Sequence, residues 1–322
     1  MIISGLNSTE MNFSSRTKAI TVAYNPDLNI LRQQLESLNH QCETIIIDNC
    51  SEKNLLNQLY EYCNLKTHVL IISLDRNTGI SSAQNTGIKY VLENTPDSEF
   101  VLLLDHDSVP SFGMVNALEK QFDYLDKSGR NPAAIGPLLY DPRDRKHIGF
   151  HSIKSCLWRK VIPLQESGPI ECHSLNSSGS LISLKAMKAV GLLEKDFFMD
   201  HGETEWCFRA LNKGYRIFGS SDFSMIHHMG DDVVEFQFFG KRRMPYRSPL
   251  RHYYIMRNSI HLQKKPYVPL TWKFWNVFKI AFTFVYFGFF SRESGEQRKY
   301  IIRGIRDGFQ GITGEFSQNE AA

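Results

Sequence analysis

The sequence predicts an α/β fold: a Rossmann-like, mostly parallel sheet followed by a helical carboxy-terminal extension rich in basic and aromatic residues. Three observations carry that expectation. Short β-branched runs alternate with amphipathic helical patterns from Lys18 to Asp105. Acidic and amide residues recur where each of those runs ends, and the character of the chain changes at Lys241.

Lys18 to Tyr24 is the first strand pattern, stopped by Asn25-Pro26-Asp27. Leu28, Leu31, Leu35 and Leu38 then mark one face of a helix. Glu43 to Ile47 is a second strand, ending at Asp48-Asn49, and Lys53 to Cys63 a second helix. Val69 to Ser73, a Gly-containing loop, helix Ser81 to Glu93 and strand Phe100 to Leu104 complete a β-α-β-α-β-α-β order. That order calls for a parallel sheet with helices on its faces. In such sheets ligands bind beyond the carboxyl ends of the strands. Asn25 and Asp27, Asp48 and Asn49, Asp75 to Asn77, and Asp105 to Asp107 all fall there. Asp and Asn also favour turns and caps, but four clusters on one rim point to a site.

After Asp107 the pattern reads as irregular loops and short strands through Glu171, with Ala133 to Leu139, Ser180 to Leu184 and Arg216 to Phe218 adding strands. The expected organisation is a polar leader at 1–17, a catalytic domain at 18–240 with halves 18–107 and 108–240, and a helical extension at 241–322. Of the 322 residues 42% are hydrophobic and 22% charged, an ordinary globular balance. A net charge of +3 without any base-reading motif excludes nucleic acid as the expected partner. The six cysteines form no CxxC pair, so neither a zinc site nor a disulfide scaffold is expected, and they read as reduced intracellular thiols. No signal-peptide pattern opens the chain. Ile280 to Phe290 falls short of the ~20 residues of a spanning helix. The basic residues Arg247, Arg251, Arg257, Lys264 and Lys265, followed by Trp272, Trp275, Phe278 and Phe282, instead suit the surface of a membrane, or a helical pair packed against the catalytic domain or a second subunit.

The strongest chemical signal is Val101-Leu102-Leu103-Leu104-Asp105-His106-Asp107. Residues two apart on an extended backbone point the same way, so Asp105 and Asp107 address one object. Their like charges call for a cation, and hard oxygen ligands suit Mg²⁺ or Mn²⁺ on a diphosphate.

These motifs, in this order, resemble the inverting glycosyltransferases of family 2, with the glycosyltransferase A fold (the nucleotide-diphospho-sugar transferase fold), over residues 18–235. Val22-Ala23-Tyr24-Asn25 matches the first strand and turn, Asp48 the acid that reads the nucleotide base, and Arg76 to Gly87 an N-x-G-x-x-x-A-x-N-x-G stretch. The resemblance implies a nucleotide-sugar site made by Asn25, Asp48, Arg76, Asn77, Gly79, Asn85 and Asp105. It also implies a metal held by Asp105, Asp107 and His227, the last by its H-x-x-G spacing to Gly230. Inverting transfer needs a base for the acceptor hydroxyl. Phe197 to Arg209 is similar to the family's acidic helix start, and aligning on Arg209 puts Glu203 at the base position. The family commonly has Asp there, preceded by an acid, where this chain has Gly202, so Asp200 and Glu205 stay as rivals. Acids also favour helix starts for the dipole, and Glu205 can simply pair with Arg209.

Within the family, Trp206 to Tyr215, Tyr246 to Ser248, Arg251 to Asn258 and Ile302 to Gly308 resemble bacterial rhamnosyltransferases. That implies dTDP-L-rhamnose as donor, a lipid-diphosphate-linked saccharide as acceptor, O-antigen or related polysaccharide synthesis, and a peripheral place on the cytoplasmic face of the inner membrane. The alternatives are a glucosyl- or galactosyltransferase using a UDP-sugar, and a catalytically inactive membrane-bound scaffold. A nucleotide-sugar pyrophosphorylase would need a Gly-rich basic loop where Tyr24-Asn25-Pro26-Asp27 stands.

Overall fold

Branched and apolar side chains fill both faces of the first strands, and this burial drives the sheet together. The computed structural model describes residues 13–143, 145–163, 168–227, 232–237, 241–291 and 293–317, with the backbone alone for 232–237 and 241–245. β1 (Ser14–Ala23), α1 (Leu28–Leu38), β2 (Cys42–Asp48), α2 (Lys53–Cys63), β3 (Val69–Ser73), α3 (Ile80–Asn94) and β4 (Phe100–Asp105) follow the expected alternation. β1 lies parallel between β2 and β4, and β2 parallel to β3. The register pairs Ala23 with Asp48, Val22 with Asp105 and Asp48 with Ser73, which brings the polar strand ends to one rim.

β1 starts earlier than the hydrophobic pattern indicated, so the boundary of the leader moves: residues 14–17 are strand, and 1–12 lie outside the described residues. Its polar beginning is satisfied laterally. Ser14 and Thr17 donate to Glu119, and Arg16 bridges Glu99 and Asp123. Those last partners reveal a second correction. The stretch after Asp107, expected to be irregular, contains β5 (Ser108–Val109) and then α4 (Met114–Lys127). Met114, Val115, Leu118, Phe122 and Leu125 bury one face of α4 against the sheet, and its start is turned by Gly113 in the left-handed region.

The second half of the sheet adds β6 (Pro132–Asp141), β7 (Lys146–Ile148), β8 (Phe150–Lys154), β9 (Leu157–Val161), β10 (Ile170–Cys172), β11 (Ser180–Ser183), α5 (Leu184–Val190), α6 (Gly202–Asn212) and β12 (Arg216–His227). The resulting ten-stranded sheet has the order β10-β12-β6-β11-β4-β1-β2-β3, with β5 on β12 and β7 on β6. β11 runs antiparallel to both β4 and β6, the one inserted strand that joins the two halves. β12 runs past the predicted Phe218 through an irregularity at Ser220 to Ser224, and this extra length carries His227 opposite Ser108 at the rim. β8 and β9 form a separate hairpin, turned by Ser155 and Cys156, both at positive φ.

The extension does not begin as helix. β13 (Asp232–Gln237) pairs antiparallel with β14 (Lys241–Tyr246), so residues 241–246 are strand, and helices α7 (Pro249–Lys264), α8 (Leu270–Phe290) and α9 (Ser294–Gln310) follow. α7 joins the catalytic domain by stacking Tyr254 on Phe198 at 5.2 Å. α9 crosses it closely, because a Cβ at Gly304 would come 2.4 Å from the Tyr253 carbonyl and one at Gly308 2.8 Å from that of Arg257. Much of the expected basic surface is consumed here. Arg257 is fully buried, with its guanidinium over the Tyr253 and Tyr254 rings and Nη1 donating to Gly314. Lys264 donates to the carbonyls of Gly308 and Phe309, and Lys265 meets Glu194 at 3.4 Å.

Candidate active site

One cavity of ≈ 460 Å³ opens at the carboxyl rim, lined from one side by the ends of β1 to β4 and from the other by the start of α6 and the β14–α7 link. Asn77, Gly79 and Asp105 line it as expected. Asn49 Nδ2 donates to Asn77 Oδ1 at 2.9 Å, and the same oxygen accepts from Gly79 N at 3.0 Å, so the tips of β2 and β3 are tied together. Gly79 has φ +80°, and a Cβ there would lie 2.3 Å from the Phe198 carbonyl, so only glycine lets the two halves of the cavity approach.

Four other donor-side candidates stand elsewhere. Asn25 accepts from Glu52 N at 2.8 Å and Asp48, almost fully buried, accepts from Ser51 N, so both shape the turn into α2. At that strand end the cavity wall is Asn49. Asn85 spends its amide on both backbone groups of Leu193, at 2.9 and 3.0 Å, and positions the loop before α6. Arg76 is exposed on the surface. Tyr24, Ser178, Arg247 and Arg251 line the cavity as well. Each carried a sequence signal short of a site assignment: Tyr24 in the turn after the first strand, Ser178 in the small Gly-containing segment Asn176 to Ser180 that resembles an acceptor-side lining, and the arginines in the basic run.

Asp105, Asp107 and His227 each offer a ligand atom within 4.8 Å of the others. His228 and Gly230, which completed the sequence motif, lie outside the described residues. Burial pushes the Asp105 carboxyl up, and Asp107 adds to this while His227 opposes it. Such a pair is relieved by a cation. Two carboxylates and one imidazole suit a hard to borderline divalent ion. A hydrogen-bonded chain aims these groups: Asp105 N donates to Ser178 Oγ at 3.0 Å, Ser178 to Ser108 Oγ at 2.7 Å, and Ser108 Oγ meets His227 Nδ1 at 2.7 Å and Asp107 Oδ1 at 3.4 Å. With Ser108 donating to Asp107, Nδ1–H donates to Ser108, and Nε2 keeps its lone pair for a ligand. Gln34 anchors the loop by donating to the carbonyls of Asp105 and Ser108.

Across the cavity, α6 starts from two residues at positive φ, Asp200 and His201. A Cβ at Gly202 would lie 2.3 Å from Ser81 Oγ, so a larger residue there requires the Ser81 hydroxyl to turn away. The three candidate acids have different surroundings. Burial opposes ionisation of Asp200, but Arg251 and Arg247, at 3.2 and 3.6 Å, outweigh it and hold the carboxyl below its usual range. Glu205 is 1% exposed and fully engaged: Arg209 Nε and Nη2 donate to it at 2.8 Å, and the Tyr267 hydroxyl donates as well. Arg209 also holds the carbonyls of Val190 and Leu192. Glu203 lines the cavity, and its pKa is pushed up to about 7, first by burial and then by Asp200 and Asp105, against the helix-start backbone bond and Arg251.

The Glu205–Arg209 pair is therefore structural. Glu205→Ala leaves the partly buried Arg209 guanidinium without its carboxylate, and a loss on the order of 3 kcal/mol in denaturant unfolding is expected, with activity per folded molecule kept.

A parallel-sheet rim that joins paired carboxylates to a second, near-neutral acid across one cavity defines a transferase of the glycosyltransferase A type. The comparisons agree. Residues 19–165 match the model of glycosyl transferase family 2. The chain is 31% identical over 307 residues, 94% of its length and 98% of the relative's, to the dTDP-rhamnosyl transferase RfbF of Shigella flexneri. The protein belongs to glycosyltransferase family 2. Among solved structures it is similar in fold to GalNAc-T7 with UDP, GalNAc and Mn²⁺ (TM-score 0.56, 15% identity, covering 92% of this chain and 56% of that one). It is similar also to S. aureus TarS 1–349 (TM-score 0.54, 15% identity, 92% and 81%).

Proposed function

We propose that this family 2 glycosyltransferase is an inverting hexosyltransferase that moves L-rhamnose from dTDP-L-rhamnose to a lipid-diphosphate-linked saccharide of bacterial surface polysaccharide. The observation that carries the chemistry is the facing of Glu203 and the Asp105–Asp107–His227 cluster across one cavity. Glu203 takes the acceptor hydroxyl proton as that oxygen bonds to the anomeric carbon. The carbon–oxygen bond to the diphosphate breaks on the opposite side. Asp105, Asp107 and His227 would hold Mg²⁺ or Mn²⁺, which when bound neutralises the departing diphosphate. Asn77 and Gly79 border the donor, and Arg251, near both Asp105 and Glu203, adds positive charge.

The likeness to RfbF over nearly the whole of both chains supports rhamnose as the sugar. Attachment to a membrane surface is supported by α8, which exposes Phe274, Phe278, Phe282, Phe289 and Phe290. Among the described residues no helix is long and apolar enough to cross a membrane.

Purified protein offered dTDP-rhamnose, UDP-glucose and UDP-galactose, with and without a lipid-diphosphate acceptor, tests the reading. Acceptor-dependent release of dTDP, with the anomeric configuration reversed in the product, is the expected result. Preference for a UDP-sugar would overturn the choice of donor, and no release from any donor would favour the inactive scaffold.

A further inference from the structure

Arg251, Tyr254, Asn258 and His261 follow one another along α7 at steps of three or four residues, which puts them on one face of the helix. That face grips the end of the loop before α6 residue by residue. His261 lies against the Phe197 ring at 6.0 Å, and Tyr254 stacks on Phe198 at 5.2 Å. Asn258 Nδ2 donates to the carbonyls of Met199 at 2.6 Å and Asp200 at 3.1 Å. Arg251 meets the Asp200 carboxylate at 3.2 Å. A second face, with Tyr253, Arg257 and Ile260, presses on α9 at Gly304 and Gly308, so the helix is braced from behind.

Within this grip Asn258 alone holds the backbone of the turn that starts α6 from α7, and its orientation is fixed. Arg257 Nε donates to Asn258 Oδ1 at 3.1 Å. A guanidinium can only donate, so the amide oxygen faces the arginine and both amide hydrogens face the loop. Asn258 is fully buried, and no solvent stands in for it.

The two carbonyls it holds belong to the peptide units on either side of Asp200. A peptide unit is rigid, so fixing both planes fixes φ and ψ of the residue between them. That residue is left-handed, at φ +60°, and His201 follows at +70°. Side chains with a Cβ disfavour this conformation. Released, the turn would relax, and the first turn of α6 would swing with it. His201, at the cap of α6, does not prevent this, because its ring turns to Ser259 Oγ at 3.0 Å instead of bonding the helix start. Glu203 stands in that first turn and lines the cavity.

We propose that Asn258 is a positioning residue for the transfer: by holding the carbonyls of Met199 and Asp200 it keeps the turn left-handed and so aims the Glu203 carboxylate into the cavity. This rests on the reading of Glu203 as the base and adds to it the group in the carboxy-terminal extension that sets its place.

The test measures nucleotide release with the lipid-diphosphate acceptor, from whichever of dTDP-rhamnose, UDP-glucose and UDP-galactose the wild type uses best. Wild type, Asn258→Asp, Asn258→Ala and Glu203→Gln are compared with the two doubles that join each change at 258 to Glu203→Gln. Both changes at 258 remove the two donors. Asp keeps the shape and the Arg257 bond, Ala adds no charge, and either decides the matter if the other does not fold. Rates are taken per folded molecule, so that lost stability is not read as lost turnover. kcat should fall about 10²-fold, the effect of misplacing a reacting group by ~1 Å, with KM for the nucleotide sugar unchanged. In the Glu203→Gln background neither change should lower kcat further, because a group that acts through Glu203 has nothing left to position. A wild-type kcat, a loss confined to KM, or a loss that multiplies with that of Glu203→Gln would overturn the proposal. Glu203→Gln as fast as wild type would instead remove the base on which the proposal rests, and no release by wild type from any of the three donors would remove the transferase reading, so the failures are distinct.

Discussion

Asp107→Ala is expected to lower the turnover of nucleotide sugar by a factor on the order of 10³ or more, because it removes an oxygen ligand where leaving-group charge must be neutralised. The fold should not suffer. Asp107 follows β4 with a like charge beside it, so its removal relieves Asp105 at the cost of the long 3.4 Å bond it accepts from Ser108 Oγ. An unchanged thermal midpoint together with a lost cation response is the signature that separates this from misfolding. Chelation of the wild type should reproduce the loss, and added Mn²⁺ or Mg²⁺ should restore it in the wild type alone. Full activity of Asp107→Ala, or of wild type in excess chelator, would remove the cation from the reaction.

The triplet around Asp107 was legible because a buried apolar strand and two carboxylates at alternate positions are both local patterns. The same holds for β1 to β4 and α1 to α3, whose periods are clear in the chain. α4 was hidden by the Pro110 and Gly113 punctuation before it, although Met114, Leu118, Phe122 and Leu125 do carry the helical spacing. What could not be read was which polar side chain spends itself on the backbone. Asn77 and Asn85 look alike in a motif, yet Asn77 borders the cavity and Asn85 grips both backbone groups of Leu193, more than 100 positions away (|i−j| = 108). Asp200, Glu203 and Glu205 are equally acidic in one short segment. Their roles diverge only because Arg247 and Arg251 reach Asp200, while Arg209 and Tyr267 close around Glu205. Those partners come from the β14–α7 link, α7 and the loop after it as well as from α6 itself, so no window of sequence contains the decision. The basic run misled for the same reason. Its residues look like one surface, but Arg257 is buried and Lys264 donates to the last turn of α9.

Glu203→Gln is the second large effect, a fall in kcat of about 10²–10⁴-fold, the range for losing a positioned general base. The amide keeps shape and burial, so stability and donor binding should hold, and the loss should appear in kcat. The pH profile tests the role more sharply. A base must be ionised to act, and burial raises the Glu203 pKa to about 7. Wild-type kcat/KM should therefore climb tenfold per pH unit on the acid side, bend near 7 and stay level above it, whereas an ordinary carboxylate would bend near pH 4. A cation on Asp105 and Asp107 cancels the share of the shift that Asp105 contributes but not the larger share due to burial. The bend in the metal-loaded enzyme should accordingly lie somewhat below 7 and still well above 4. Glu203→Asp should keep an acid limb at reduced rate, while the residual activity of Glu203→Gln should be flat across it. A limb that survives in Glu203→Gln would assign the proton transfer to another group. Asp200 could not supply it without first losing Arg251 and Arg247, because both hold its carboxyl ionised far below neutrality.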